Sequence, residues 1–262
     1  MELTAAEREE FLSNGLIVRR GIAGPELTGP ARTLISGWYR RQFDPGRVTE
    51  FTQRTFAPEL GSHPALLGML TSSGVWELAK SMLGSIAPVA TAQVQIRVPE
   101  EDLAIAQPVK AMHVDGVACP HLDHAELRTF SLLVGFPLSD VTDPQGGALR
   151  CLPGGHLRMA RWFDSQWSLR MSDQVPPAID AQTGTPFLCG VGDVLLMHHL
   201  VPHAVGLNHS ATPRVMVYFR LSHPDHASRR LAALRDPWLD YPPLAPGPPG
   251  LNDRTKETTP CA

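Results

Sequence analysis

VATAQVQIRV, residues 89–98, is where the chain changes its period. Gln93, Gln95 and Arg97 alternate with Val94, Ile96 and Val98, so a polar row and an apolar row fall on opposite sides of an extended backbone. Downstream the same period returns. TFSLLVGFPL (129–138) places Phe130, Leu132, Val134, Phe136 and Leu138 on one face, opposite Thr129 and Ser131. GALRCLPGGH (147–156) reads as a short strand ending in a Pro-Gly-Gly turn, and TPFLCGVGDVLLMHH (185–199) and RVMVYFRLS (214–222) continue a series of short strands punctuated by Gly, Pro and Asp. Upstream the pattern is helical. Residues 4–14 carry a capping box at Thr4 and Glu7 and stop at Asn14-Gly15; LIVRRG (16–21) reads as a strand and 25–42 as a second helix. Residues 64–84 form a third helical pattern through Leu66, Leu67, Leu70, Val75, Leu78, Ala79 and Met82. Helices followed by many short strands predict a β-sandwich or barrel with helices outside it.

Bulk composition removes several functions. The chain has 262 residues, enough for one large domain or two small ones, and its 43% apolar content supports a packed core. A net charge of −3, with 23 basic and 26 acidic residues and no long run of either sign, argues against a nucleic-acid or anionic-membrane partner. No segment approaches the ~20 apolar residues of a membrane span, and MELTAAEREEFLSNG lacks a signal-peptide core. Cys119, Cys151, Cys189 and Cys261 are far apart, so neither a disulfide framework nor a zinc ribbon is expected. A cytoplasmic protein acting on a small molecule, as monomer or homodimer, is the expectation.

Ten of the eleven histidines fall within residues 113–226. His113-Val114-Asp115 is an H-x-D motif; on an extended backbone, residues two apart face the same way, so imidazole and carboxylate can share one metal ion. About 90 residues later, GDVLLMHHLVPHAVGLNHSATPR (192–214) offers His198, His199, His203 and His209 as a further ligand. Two histidines and one carboxylate would cover one face of an octahedral ferrous ion and leave three positions open, whereas a structural zinc site is closed by four ligands.

The sequence resembles the phytanoyl-CoA dioxygenase-like family of Fe(II)- and 2-oxoglutarate-dependent oxygenases over roughly residues 1–225. The resemblance rests on HVDG (113–116), GGALRCLPGGH (146–156), GD (192–193) and the ten-residue spacing between His203 and Arg214. It implies a mostly β fold with flanking α-helices, built on a double-stranded β-helix (jelly-roll, cupin-like) core. It implies Fe(II), 2-oxoglutarate and O2 as cofactor and co-substrates, with His113, Asp115 and His203 on the metal and Arg214 on the distal carboxylate of 2-oxoglutarate. That carboxylate needs a fixed cation, and the planar fork of arginine suits it. Thr129 and Ser131 are candidates for a second bond to the co-substrate, since family enzymes often use a hydroxyl there, and Gln95 could reach it from the preceding strand. The resemblance further implies oxidation of an unactivated C–H bond, most simply hydroxylation, with release of succinate and CO2. The intact Asp115 argues against halogenation and leaves desaturation, ring closure and epimerisation open.

Other residues have plainer readings. His156 suits a turn, His121 and His124 an exposed loop, and Trp162 and Trp167 packing within a helical insertion over 156–171. Arg97 and Arg220 suit structural ion pairs, with a smaller chance of meeting a substrate carboxylate; Cys151 and Cys189 read as inert core thiols. The organisation expected is one oxygenase domain over 1–243, with N-terminal helices to about 88, a jelly-roll core over about 89–225, and a Pro-rich, polar tail over 244–262. Rival readings are a non-redox metal-binding jelly roll and a ligand-binding sandwich in which H-x-D is accidental.

Overall fold

A computed structural model describes residues 1–117, 127–167 and 183–245. Helix α1 (Ala5–Asn14) starts at the Thr4/Glu7 capping box and stops at Gly15, whose backbone is left-handed. Strand β1 (Leu16–Arg19) and helix α2 (Pro25–Gln42) follow as the sequence pattern predicts. A short helix α3 (Val48–Gln53) leads towards residues 64–84, where the apolar spacing predicts one helix. The structure divides that stretch into α4 (Pro64–Thr71) and α5 (Val75–Leu83). Ser73 turns its hydroxyl back onto the Met69 carbonyl, and Gly74 takes φ of 80°, a conformation the helix cannot continue through.

Among the described residues, eight strands build two antiparallel sheets. Strands β1, β2 (Gln93–Arg97), β3 (Leu132–Pro137), β6 (Val194–His198) and β8 (Arg214–Leu221) form a five-stranded sheet in the order β1-β6-β3-β8-β2. Strands β4 (Leu149–Cys151), β5 (Thr185–Phe187) and β7 (His203–Val205) form a three-stranded sheet in the order β5-β4-β7. The two face each other across a shared core as a jelly roll with helices outside.

Strands β1, β3, β6 and β8 of the large sheet each serve two cores. Val94, Ile96, Leu132, Val134, Phe136, Val217 and Phe219 are buried against Ile35, Leu66, Leu78 and Met82 of the helices. Their neighbours Leu133, Leu195, Met197, Met216 and Tyr218 face Leu149, Cys151 and Phe187 of the small sheet. Each fully buried side chain of this size contributes roughly 1.5–3 kcal/mol, so the helices are fixed to the sheet by area and need no special contact. The alternation that divides the cores also sends Gln93, Gln95 and Arg97 of β2 and Arg214, Tyr218 and Arg220 of β8 into the space between the sheets.

Two more helices complete the described chain. Helix α6 (Gly155–Ser165) overlaps the first part of the expected helical insertion over 156–171, with its Phe163 ring edge-on to Trp167. Helix α7 (His226–Arg235) was not anticipated, because the Arg and Ala of its HASRRLAALR give a weak apolar stripe. The chain after α7 packs inward. The Tyr241 ring is fully buried against Phe11 and His198, and its hydroxyl donates to the Ser131 carbonyl. The Pro-rich tail beyond 245 and the loop with His121 and His124 lie outside the described residues. No helix among the described residues is long and apolar enough to cross a membrane.

Candidate metal and co-substrate site

His113 and His203 are joined through the backbone before any ligand is considered. Each donates its N–H to the other's carbonyl at 3.0 Å, so the segment carrying H-x-D extends the small sheet beside β7. The rings lie 4.9 Å apart by centroid. Both are oriented from behind, since Nδ1 of His113 bonds the Ala111 carbonyl and Nδ1 of His203 bonds the Val201 carbonyl, each at 3.0 Å. A proton placed on Nδ1 by those carbonyls leaves both Nε2 atoms as free lone pairs. Asp115 Oδ1 stands 3.5 Å from Nε2 of His113 and 3.9 Å from Nε2 of His203. The three ligand atoms lie within 4.8 Å of one another.

Protonation matches metal binding. Burial works to raise the Asp115 carboxyl, but Arg220, donating to its Oδ2 at 2.8 Å, and the two imidazoles outweigh it and hold the group well below the usual carboxylate range. Burial lowers His203 to about 4, against the pull of Asp115, so its ring is neutral near pH 7. Two imidazoles and one carboxylate suit a divalent first-row metal.

The triad lines a cavity of about 720 Å3, within the usual range of small-ligand sites. Further along the wall lie Arg214, Tyr218 and Gln95. Arg214 is buried and its Nε donates to the Gly147 carbonyl at 2.8 Å, which fixes the guanidinium. Its Nη2 and the Tyr218 hydroxyl are buried without a hydrogen-bond partner. Two such donors on one cavity wall carry a desolvation penalty that an anionic oxygen would relieve. Burial raises the Tyr218 phenol to about 12, so it remains a donor. Gly135, opposite Tyr218 across β3 and β8, makes room for that ring; a Cβ there would lie 2.9 Å from it. These residues fit a five-carbon diacid held at one end by the metal and at the other by Arg214 and Tyr218.

A family model for phytanoyl-CoA dioxygenase (PhyH) matches residues 11–216. The chain belongs to the phytanoyl-CoA dioxygenase family. Dioxygenases of this family use Fe(II), 2-oxoglutarate and O2. No curated protein sequence matches the chain significantly. Among solved structures, HygX from Streptomyces hygroscopicus with nickel and 2-oxoglutarate bound is 14% identical, with a TM-score of 0.53 over 84% of this chain and 86% of that one. The epimerase SnoN from nogalamycin biosynthesis is 16% identical, with a TM-score of 0.57 over 83% and 84%. EctD from S. alaskensis with bound Fe is also 16% identical, with a TM-score of 0.57 over 84% and 76%. At these identities the likeness is one of fold.

The phytanoyl-CoA dioxygenase motifs have local physical roles here. Gly147 of the Gly-Gly pair has φ of 72°, and a Cβ on it would meet Arg97 Cγ at 2.8 Å. Only glycine lets this backbone deliver its carbonyl to Arg214. Gly147→Ala is therefore expected to lower the Tm and to weaken 2-oxoglutarate binding at least about tenfold, since a charge-assisted bond is displaced; an unchanged dissociation constant would show that the Gly147 carbonyl does not set Arg214. Asp193 of the Gly-Asp motif accepts from the Gly21 and Gly190 amides and from Arg20, which tightens the turn before β6. His156 is buried in α6 with Nε2 on the Leu12 carbonyl, a packing role.

In this phytanoyl-CoA dioxygenase-family fold, Thr129 and Ser131 are not among the residues lining the cavity. The Thr129 hydroxyl is 2.9 Å from Nε2 of His226, and the Ser131 hydroxyl donates to Asp240 at 2.6 Å. Both precede β3, which begins at Leu132. Gln95 does reach the cavity wall, with its amide on the Arg54 carbonyl at 3.1 Å. His198 and His199 lie behind the site, on the Pro237 and Ser131 carbonyls, and His209 is exposed. Cys151 and Cys189 are buried, and burial raises their thiols to about 12 and about 11. Sequence reasoning missed Tyr218 and gave Arg220 too small a part. The alternation Arg214, Met216, Tyr218, Arg220 along β8 held the signal, since Arg214 fixes which parity faces the cavity.

Proposed function

We propose that this protein is an Fe(II)- and 2-oxoglutarate-dependent dioxygenase that hydroxylates an unactivated C–H bond of a small metabolite, with release of succinate and CO2. One observation carries the reading: a three-ligand face and a pair of unpartnered buried donors share a single cavity. When bound, Fe(II) with 2-oxoglutarate and O2 supplies the oxidising power that protein side chains lack. His113, Asp115 and His203 would hold the metal, with both imidazoles kept in the Nε2-ligating tautomer by backbone carbonyls. Arg220 engages Oδ2 of Asp115 and leaves Oδ1 to the ion. Arg214 and Tyr218 would take the distal carboxylate of 2-oxoglutarate, while Leu133, Leu149 and Val205 make the inner wall apolar and exclude water. A metal site with no diacid co-substrate has no use for a buried, backbone-fixed arginine at that wall, which disfavours the non-redox alternative.

Arg214→Ala is expected to weaken 2-oxoglutarate binding by at least about 100-fold, as two charge-assisted bonds at roughly 1.5–3 kcal/mol each are lost. Calorimetric titration of the metal-loaded variant checks this, and an unchanged affinity would remove Arg214 from the site. The reaction itself is tested by succinate release against a metabolite panel, with mass spectrometry of the product. Gain of one oxygen atom by the substrate supports hydroxylation. Loss of two hydrogens, or an isomer of unchanged mass, would replace it with desaturation, ring closure or epimerisation.

A further inference from the structure

Resting on the oxygenase reading, the inference concerns the substrate: we propose that it is a small organic polyanion, a phosphate ester or polycarboxylate, whose anionic end is bound at the cavity mouth by Arg54 and Lys110. The chain as a whole is slightly acidic, with a net charge of −3. Its cavity is the reverse. Among the described residues, Arg54, Arg97, Lys110, Arg128, Arg214 and Arg220 line it, and Asp115 is the one carboxylate. A ferrous ion, Asp115 and dianionic 2-oxoglutarate would together leave one negative charge. Arg214 alone balances that, so Arg54 and Lys110 are surplus to the co-substrate.

The surplus is distributed in a way that suits a second ligand. Arg97 pairs with Arg214 across β2 and β8, and its two Nη atoms donate to the Gln107 and Pro108 carbonyls. It thereby fixes the segment that carries Lys110 to the cavity wall. Arg220 stands at the metal end on Asp115, over the Phe130 ring. Arg54 is exposed and Lys110 half-buried; they come from two separate segments, after α3 and before His113, and neither has a carboxylate within ion-pair distance among the described residues. Placing like charges around one concavity raises the field inside it, which is unfavourable unless an anion enters. A polyanion held at the mouth would leave its carbon skeleton between those cations and the triad, where the cavity has room beyond a five-carbon diacid.

The test uses protein loaded with Mn(II) and 2-oxoglutarate, titrated calorimetrically with 3-phosphoglycerate, tricarballylate, glucose and putrescine. Saturable binding of at least one of the two anions, with neither glucose nor putrescine binding, is expected. Binding of the phosphate ester alone assigns a phosphate, and of tricarballylate alone a carboxylate. In the Arg54→Gln/Lys110→Gln variant, whose exchanges lie at the exposed rim, the anion is expected to bind at least about tenfold more weakly, the scale of a lost charge-assisted contact, while 2-oxoglutarate binds as before. Failure of both anions to bind, equal binding by the variant, or preference for putrescine would overturn the proposal. The 2-oxoglutarate titration, run first, reads the oxygenase assignment separately. Its failure with anion binding intact would remove that assignment and leave a basic anion site; the converse would remove the substrate class alone.

Discussion

Asp115→Asn is expected to lose metal affinity by on the order of 100-fold or more, and succinate formation with it, since removal of even an outer partner of a metal ligand typically costs 10–100-fold. The exchange preserves shape and removes charge. Oδ1 would become a weak neutral ligand or an amide nitrogen with no lone pair to give, and Arg220 would be left facing an uncharged group in place of the carboxylate it now bonds at 2.8 Å. His113 and His203 should keep their rotamers in the variant, because the carbonyls of Ala111 and Val201 hold them independently of Asp115. Metal content after dialysis and the rate of succinate release check the expectation. Full iron occupancy in the variant would mean that the two histidines bind metal with another partner.

The second large effect is acid lability, and its origin lies behind the site. Burial pushes His156 down to about 4 and His198 well below its ordinary value, and His199 is lowered in the same way. A histidine whose folded pKa is depressed stabilises fully above its unfolded pKa of about 6.5, and that contribution is lost as pH falls below it. Each of the three costs about 1.4 kcal/mol per pH unit in this window, together about 4 kcal/mol per unit, against a total stability of roughly 5–15 kcal/mol. Asp240 adds to the loss lower down. Although burial works to raise it, His226 and Ser131 bring its carboxyl to about 2, so its contribution is present above about 4 and is lost as pH falls towards 2. Circular dichroism should show the protein folded at pH 7, steeply destabilised below pH 6 and unfolded by about pH 4. A denaturation midpoint independent of pH between 7 and 4.5 would contradict the burial of these rings.

That His-Asp network also explains where sequence reading stopped. Period two located β2 and β3 and the two faces of each, because alternation is a local property of an extended backbone. The resemblance offered Thr129 and Ser131, on the polar side of that stretch, to the co-substrate, whereas their partners, His226 and Asp240, lie 97 and 109 residues away in sequence. Nothing local signals such a contact. The break between α4 and α5 was legible in Ser-Ser-Gly at 72–74 but hidden by apolar spacing that stays in phase across it. At the site, the spacing of His113 to Asp115 and of His203 to Arg214 located four side chains lining one cavity. Tyr218 needed the strand's facing direction, which follows once Arg214 is placed.

The most direct test of the account is addition of 2-oxoglutarate to the Fe(II)-loaded protein without oxygen. Chelation of Fe(II) by the 2-oxo acid, with its far carboxylate on Arg214 and Tyr218, predicts a new visible charge-transfer absorption that saturates with 2-oxoglutarate and is lost in Asp115→Asn. A spectrum unchanged by 2-oxoglutarate, in protein shown to hold one Fe(II) per chain, would contradict it.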